Sequence, residues 1–186
     1  MRLWTVRARR ARIVAFLLLL TPWDAAPLRA AGPAAVALGV GEVEVIEDGA
    51  GHEIDLEVRF PPRRFHLLPR FQPEIVPLLG TIATTKGTLY AFAGVRADLR
   101  LGPRWWFSPS FSGGLYYRAE GQDLGGPVEF RSAIEISYEL RWQARVGVCL
   151  YHLSNGGIFP PNAGSESLVF TFSAPLGHLS QPSSSF

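Results

Sequence analysis

The sequence predicts an all-β protein, namely an eight-stranded antiparallel transmembrane β-barrel that follows a cleaved signal peptide. Three observations support this prediction: apolar residues alternate with polar ones along several segments, the N-terminus has the layout of an export signal, and aromatic residues lie near segment ends. Charged residues make up only 18% of the 186 residues, and the 19 glycines and 15 prolines suit short strands joined by turns.

The N-terminal segment carries a basic region, then an apolar run, then small residues. Five arginines occur among the first twelve residues, and residues 13–20 are all apolar but too few to cross a bilayer as a helix. We therefore expect residues 1–31 to be a signal peptide, cleaved somewhere between residues 26 and 37, with a membrane anchor as the alternative. Because these arginines leave with the signal, the net charge of +2 is no argument for a nucleic-acid partner.

Eight segments of the remaining chain are predicted as strands, and they cover residues 36–46, 52–60, 65–78, 88–100, 104–117, 128–140, 142–154 and 166–175. The first changes parity near Gly41, which indicates a β-bulge. The second alternates apolar residues with Glu53, Asp55 and Glu57. The third contains three prolines, which belong at an edge or a bulge.

The later segments have clearer patterns. The fourth places apolar residues at odd positions and Arg96 and Asp98 at even ones, and the fifth has aromatic pairs near both ends. The sixth and seventh place apolar residues at even positions. In the eighth, Phe170 and Phe172 occupy even positions, as Glu166 does, so all three side chains lie on one face. Each segment is close to the length that a tilted membrane strand needs, and the number of strands is even.

The charged positions favour a membrane barrel over a soluble sandwich. They mix both signs on several strands, so they can pair inside a narrow barrel while the apolar positions face lipid. With both termini in the periplasm, the seventh strand runs outward and the loop at about residues 155–165 is extracellular. We therefore expect the protein in the outer membrane of a Gram-negative cell.

A candidate catalytic site lies at the outer end of the seventh strand. His152 and Ser154 share the outward parity of the apolar residues, and Glu166 is outward at the start of the next strand, where it can lie beside His152. A carboxylate on a lipid-facing parity needs a partner. Glu166 would orient His152, which would take the proton of Ser154 for attack on an acyl carbon.

The segment between these residues can supply an oxyanion site. The Asn155-Gly156-Gly157 turn can present backbone N–H groups, and Asn162 offers a side-chain amide. Simple turn chemistry is the alternative explanation, and we favour it for Gly156.

The run HLSNGG, with Asn162 and Glu166 ten and fourteen residues after His152, resembles the active-site segment of the outer-membrane lipid A 3-O-deacylases of the PagL type. That resemblance implies an eight-stranded barrel that hydrolyses the 3-O-linked acyl chain of lipid A. It implies a catalytic set of His152, Ser154 and Glu166, with oxyanion or support roles for Asn155, Gly157 and Asn162. The resemblance is specific over about residues 128–175.

Two features depart from the family pattern. Gly156 stands where alanine is common, and the chain continues beyond the last strand as a polar tail. We accordingly divide the chain into a signal peptide at 1–31, a barrel at 32–175 and a tail at 176–186.

The expected partner is lipid A or lipopolysaccharide of the outer leaflet, and the sequence leaves a homodimer open. We expect no cofactor and no metal, because a serine esterase needs none, Cys149 is the only cysteine, and the other histidines lack metal-ligand spacing. The alternative function is that of a non-enzymatic structural or adhesive barrel, in which His152 and Ser154 are rim residues.

Overall fold

The computed structural model describes residues 32–45, 51–64 and 72–179. The predicted signal peptide, most of the tail and residues 65–71 of the third predicted strand lie outside these ranges. The strands are β1 Ala35–Val43, β2 Gly51–Arg59, β3 Arg63–Arg64, β4 Glu74–Thr84, β5 Leu89–Arg100, β6 Trp105–Tyr117, β7 Val128–Glu139, β8 Arg145–Ser154 and β9 Ser165–Pro175. A 3₁₀ turn occupies Arg141–Gln143, and a one-turn helix, α1, occupies Leu176–Leu179. None of the helices in the described ranges could span a bilayer.

The long strands form one closed antiparallel barrel. Neighbouring strands follow the order β2-β1-β9-β8-β7-β6-β5-β4, and β2 pairs with β4 to close the sheet. The two-residue β3 only extends the pairing at the beginning of β4. Within the described ranges the barrel therefore has eight long strands, which confirms the predicted fold class.

The alternation of side chains explains how this barrel suits a membrane. In β2, Ile54 is 57% exposed on the outside, whereas Glu53 and Asp55 are buried in the lumen. The same alternation continues through β7 and β8. The apolar outer wall faces hydrocarbon, and the polar residues are confined to the interior, as in small outer-membrane barrels.

The lumen contains a network of buried ion pairs. Arg131 bonds to Asp55 and Glu57 at 3.2 Å each, and Glu135 accepts from Arg59 at 3.0 Å and from Arg96 at 2.7 Å. A buried charge is costly unless it is paired, so each arginine offsets the desolvation of the carboxylates it touches. Mixed charges on the inward parity thus fill the interior, as the sequence predicted.

The end of the lumen next to the β6–β7 and β8–β9 loops is more apolar. Tyr90, Tyr151 and Leu153 are buried there, and Leu124 from the β6–β7 loop packs over them. Tyr151 donates a hydrogen bond of 2.6 Å to Glu53. This core fixes the strand ends that carry the candidate site.

Two predicted strand boundaries and one predicted β-bulge are wrong. The strand placed at 65–78 is β4, which extends to Thr84; apolar residues occupy both of its faces, so the period-two signal is weak. The bulge expected at Gly41 is absent from β1, whose pairing with β2 and β9 continues without interruption. The strand expected from residue 142 begins at Arg145, because the 3₁₀ turn, with Trp142 at φ 56°, is needed to reverse the chain.

Candidate active site on the outer wall

Pairing between β8 and β9 brings a histidine and a glutamate together. His152 lies directly opposite Glu166 in the ladder, and His152 Nδ1 is 2.9 Å from Glu166 Oε1. Their side chains are 46% and 32% exposed, so both are on the outer wall rather than in the lumen. This is the arrangement in which a carboxylate fixes the orientation of an imidazole and leaves the other ring nitrogen, Nε2, available.

Ser154 is the last residue of β8 and has the same outward orientation. It is half-buried and lies opposite Phe130 of β7. Residues two apart on a strand are close to 7 Å apart along it and share a face, so an imidazole and a hydroxyl at this spacing can approach each other. Within the described ranges no hydrogen bond joins Ser154 to His152, and such bonds often form only with substrate bound.

Asn155 holds the loop that follows β8. Its side chain is fully buried; Nδ2 donates to Leu124 O and to Phe159 O, the latter at 2.8 Å, while Oδ1 accepts from Gly157 N at 2.8 Å. The backbone N–H of Asn155 donates to Asn162 Oδ1 at 3.0 Å. Asn155 and Gly157 therefore bond to each other and organise the loop.

Asn162 differs from the other two predicted oxyanion residues because it is exposed. Its Oδ1 accepts from Asn155, which orients the amide and leaves Nδ2 as the donor that can point outward. Of the three residues, Asn162 is the one whose side chain can meet a substrate.

The β8–β9 loop rests on the β6–β7 loop. A methyl group built on Gly125 would collide with the carbonyl oxygen of Pro161, and Phe159 packs on Gly126. Together with the bond from Asn155 to Leu124, these contacts support the candidate site from a segment remote in sequence. The β6–β7 loop has no pattern in the sequence that predicts this role.

An apolar groove of about 470 Å³ begins beside His152 on the outer wall. It lies along β6 to β8, and Phe111, Ile134 and Leu150 contribute to it. Phe111 stacks on Phe130, with ring centroids 5.9 Å apart and planes 11° apart. The alternation in the sequence indicates that these side chains point outward. Which of them become neighbours depends on the register between strands, and the sequence does not predict that register.

Comparison with known proteins identifies the family. The family model described as lipid A 3-O-deacylase (PagL) matches residues 79–175, which is more than half of the chain and includes the whole candidate site. The chain belongs to the PagL family. This confirms the resemblance seen in the sequence, and membership makes the chain an outer-membrane ester hydrolase of Gram-negative cells.

Of the similar solved structures, one supports the fold. The crystal structure of the outer-membrane enzyme PagL superposes with a TM-score of 0.62 and 17% identity, over 76% of this chain and 99% of that one. A de novo designed transmembrane β-barrel gives a TM-score of 0.43 and 10% identity, over 77% of this chain and 94% of that one. The Yersinia pestis outer-membrane protein Ail gives a TM-score of 0.44 and 9% identity, over 76% of this chain and 99% of that one. No curated protein sequence matches the chain.

The described ranges contain no group of three or more His, Cys, Asp or Glu side chains that could hold a metal ion. Independence from a metal or cofactor stays a prediction from the chemistry of serine esterases.

Proposed function

We propose that this PagL-family protein hydrolyses the ester bond of the 3-O-linked acyl chain of lipid A, with Ser154 as nucleophile, His152 as general base and Glu166 as the group that orients His152. The observation that carries this proposal is the 2.9 Å contact between His152 Nδ1 and Glu166 Oε1 on the outer wall, two residues from Ser154. A lipid substrate can reach this position from the membrane without entering the barrel.

The first half of the reaction forms an acyl-enzyme. His152 Nε2 takes the proton of the Ser154 hydroxyl while Oγ attacks the ester carbonyl carbon. The resulting tetrahedral oxyanion collapses, the C–O bond to the sugar breaks, and the sugar oxygen receives the proton from His152. Glu166 stabilises the imidazolium that exists between these proton transfers.

The second half regenerates the enzyme. A water molecule loses a proton to His152 and attacks the acyl carbon, and Ser154 Oγ leaves and recovers a proton. The products are a free fatty acid and a lipid A that carries a hydroxyl at the 3-position.

Asn162 is proposed as the oxyanion donor through Nδ2, with Asn155 and Gly157 in supporting roles. Asn155 is buried and its side chain bonds to Leu124, Gly157 and Phe159, so it stabilises the loop that presents Asn162. A preorganised donor aimed at the developing charge is among the largest contributions to such catalysis.

The groove beside His152 is proposed to hold the acyl chain. Phe111, Ile134 and Leu150 give it an apolar lining that continues toward the bilayer interior. A fatty acyl chain in this groove would keep its carbonyl at the rim, where Ser154 lies.

The export route and division of the chain are part of the same proposal. Residues 1–31 would direct secretion and be removed, residues 32–175 would form the membrane barrel, and residues 176–186 would be a polar C-terminal tail.

Mass spectrometry of lipid A from cells that express each form tests this function. The unaltered protein should remove one 3-O-linked acyl chain, whereas Ser154→Ala and His152→Ala should leave lipid A intact. His52→Ala is the matched control, because His52 is also an outward histidine opposite a glutamate, Glu42, but Ile54 stands where a serine would be needed. Unchanged lipid A with the unaltered, folded protein would refute the proposal.

A further inference from the structure

Gly164 lies against the ring of His152. It is buried immediately before β9, and a methyl group built on its Cα would lie 2.6 Å from Cε1, 3.4 Å from Nε2 and 3.6 Å from Nδ1. Carbon atoms that are not bonded prefer separations of about 3.5–4.0 Å, so no side chain fits while the ring keeps its position. The imidazole therefore occupies the space that a side chain at 164 would take.

The ring is confined from two directions. Glu166 holds Nδ1 at 2.9 Å, and the bare backbone of Gly164 lies beside Cε1 and Nε2. If a side chain at position 164 displaced the ring, the hydrogen bond to Glu166 would lengthen or Nε2 would no longer be directed toward Ser154. The two contacts thus limit how far the ring can shift toward the loop while it keeps its bond to Glu166.

The backbone at this point also requires glycine. Gly164 has φ +78°, in the left-handed region that other residues seldom adopt. Asn162 lies two residues before Gly164, and Glu166 two residues after it. The same short segment therefore carries the proposed oxyanion donor, the support of the ring and the carboxylate.

We propose that Gly164 is a positioning residue for His152, which leaves room for the Cε1 edge of the imidazole against the loop so that Nε2 is directed toward Ser154. This inference rests on the proposed function, since it assumes that His152 is the general base. Gly164 touches no reacting atom of the substrate and acts through the ring alone.

The Gly164→Ala variant tests this role through kinetics on purified lipopolysaccharide in detergent micelles. A displacement of about 1 Å in a catalytic group can cost about a hundredfold in rate, so kcat should fall by about that factor. The apparent KM should stay within about twofold, because the acyl groove is unaltered. If Gly164 were needed only for folding, its replacement would lower the amount of folded protein. The kcat of each folded molecule would then stay unchanged.

Gly87→Ala is the matched control for backbone strain. Gly87 has φ +76° in the loop between β4 and β5, far from His152 along the barrel wall, and its nearest neighbour for a new methyl group is the Ala119 side chain at 3.3 Å. This variant should keep kcat within about twofold. Equal kinetics of Gly164→Ala and Gly87→Ala would overturn the inference.

A double variant keeps the test decisive if Gly164→Ala does not fold. Replacing His152 by alanine removes the ring that the new methyl group meets, so adding His152→Ala to Gly164→Ala should raise the unfolding midpoint of the barrel toward that of Gly87→Ala, which carries a comparable backbone strain. Failure of His152→Ala to raise that midpoint would contradict the inference. The two proposals fail separately, because an active His152→Ala refutes the proposed function, whereas an inactive His152→Ala beside a fully active Gly164→Ala refutes the positioning role alone.

Discussion

His152 and Glu166 face each other across the β8–β9 ladder with Nδ1 2.9 Å from Oε1, on the wall of the barrel that faces lipid. A carboxylate at this depth is costly in the absence of a partner, and the imidazole supplies one. The pair therefore accounts for the position of Glu166 on the lipid-facing wall.

The first prediction concerns Glu166. Glu166→Gln keeps an oxygen that can accept from Nδ1 but removes the charge that stabilises the imidazolium, so kcat should fall by about a hundredfold or more. Fatty acid released from purified lipopolysaccharide measures this effect. Glu42→Gln, at an outward glutamate on β1, should retain the rate of the unaltered protein; a rate for Glu166→Gln within twofold of that value would contradict the role given to Glu166.

The second prediction separates Asn162 from its structural neighbour. Asn162→Asp keeps Oδ1 as acceptor for the backbone N–H of Asn155 but loses the amide donor. Loss of one oxyanion donor costs about 10²–10³ in kcat. The unfolding midpoint of the barrel should change little, and an unchanged kcat would exclude Asn162 as a donor to the oxyanion.

The third prediction concerns Asn155, whose loss should act on stability. Asn155→Ala leaves the carbonyl oxygens of Leu124 and Phe159 and the N–H of Gly157 without their partner. Leu124 is buried, and a buried group left unsatisfied costs about 1–3 kcal/mol. Proteolysis of the β8–β9 loop should accelerate well before the barrel unfolds, and a cleavage rate equal to that of the unaltered protein would show that Asn155 does not hold this loop.

The fourth prediction concerns the lumen. Arg131→Met removes a cation that pairs with both Asp55 and Glu57, and the loss of one partner of a buried ion pair costs about 3–5 kcal/mol. Arg118→Met, which breaks an exposed pair with Asp123, should cost about 0–1 kcal/mol. Urea unfolding of the reconstituted barrels compares the two, and equal losses would mean that the lumen pairs add nothing to stability.

Sequence patterns predicted the barrel and the His152–Glu166 pair because both depend on parity and on the pairing of consecutive antiparallel strands. Parity failed for β4, where Val76, Leu78 and Leu79 place apolar side chains on both faces. The alternation of residues along strands also gives no information about contacts between loops.

Asn155 and Gly164 illustrate that second limit. The burial of the Asn155 side chain has no signal in the sequence, because it depends on Leu124, which arrives from another loop. Gly164 carries no side chain, so its effect on His152 appears only once the ring and the backbone are placed together. Both depend on tertiary packing that a single sequence does not encode in any local pattern.

Covalent labelling of Ser154 is the sharpest test of its role as the nucleophile. Folded protein in micelles would be treated with a long-chain alkyl fluorophosphonate, which reacts with activated serine hydroxyls, and the modified peptide would be identified by mass spectrometry. We expect a single adduct on Ser154, which is lost in His152→Ala and retained in His52→Ala. Unlabelled Ser154 in a protein that still deacylates lipid A would contradict that role.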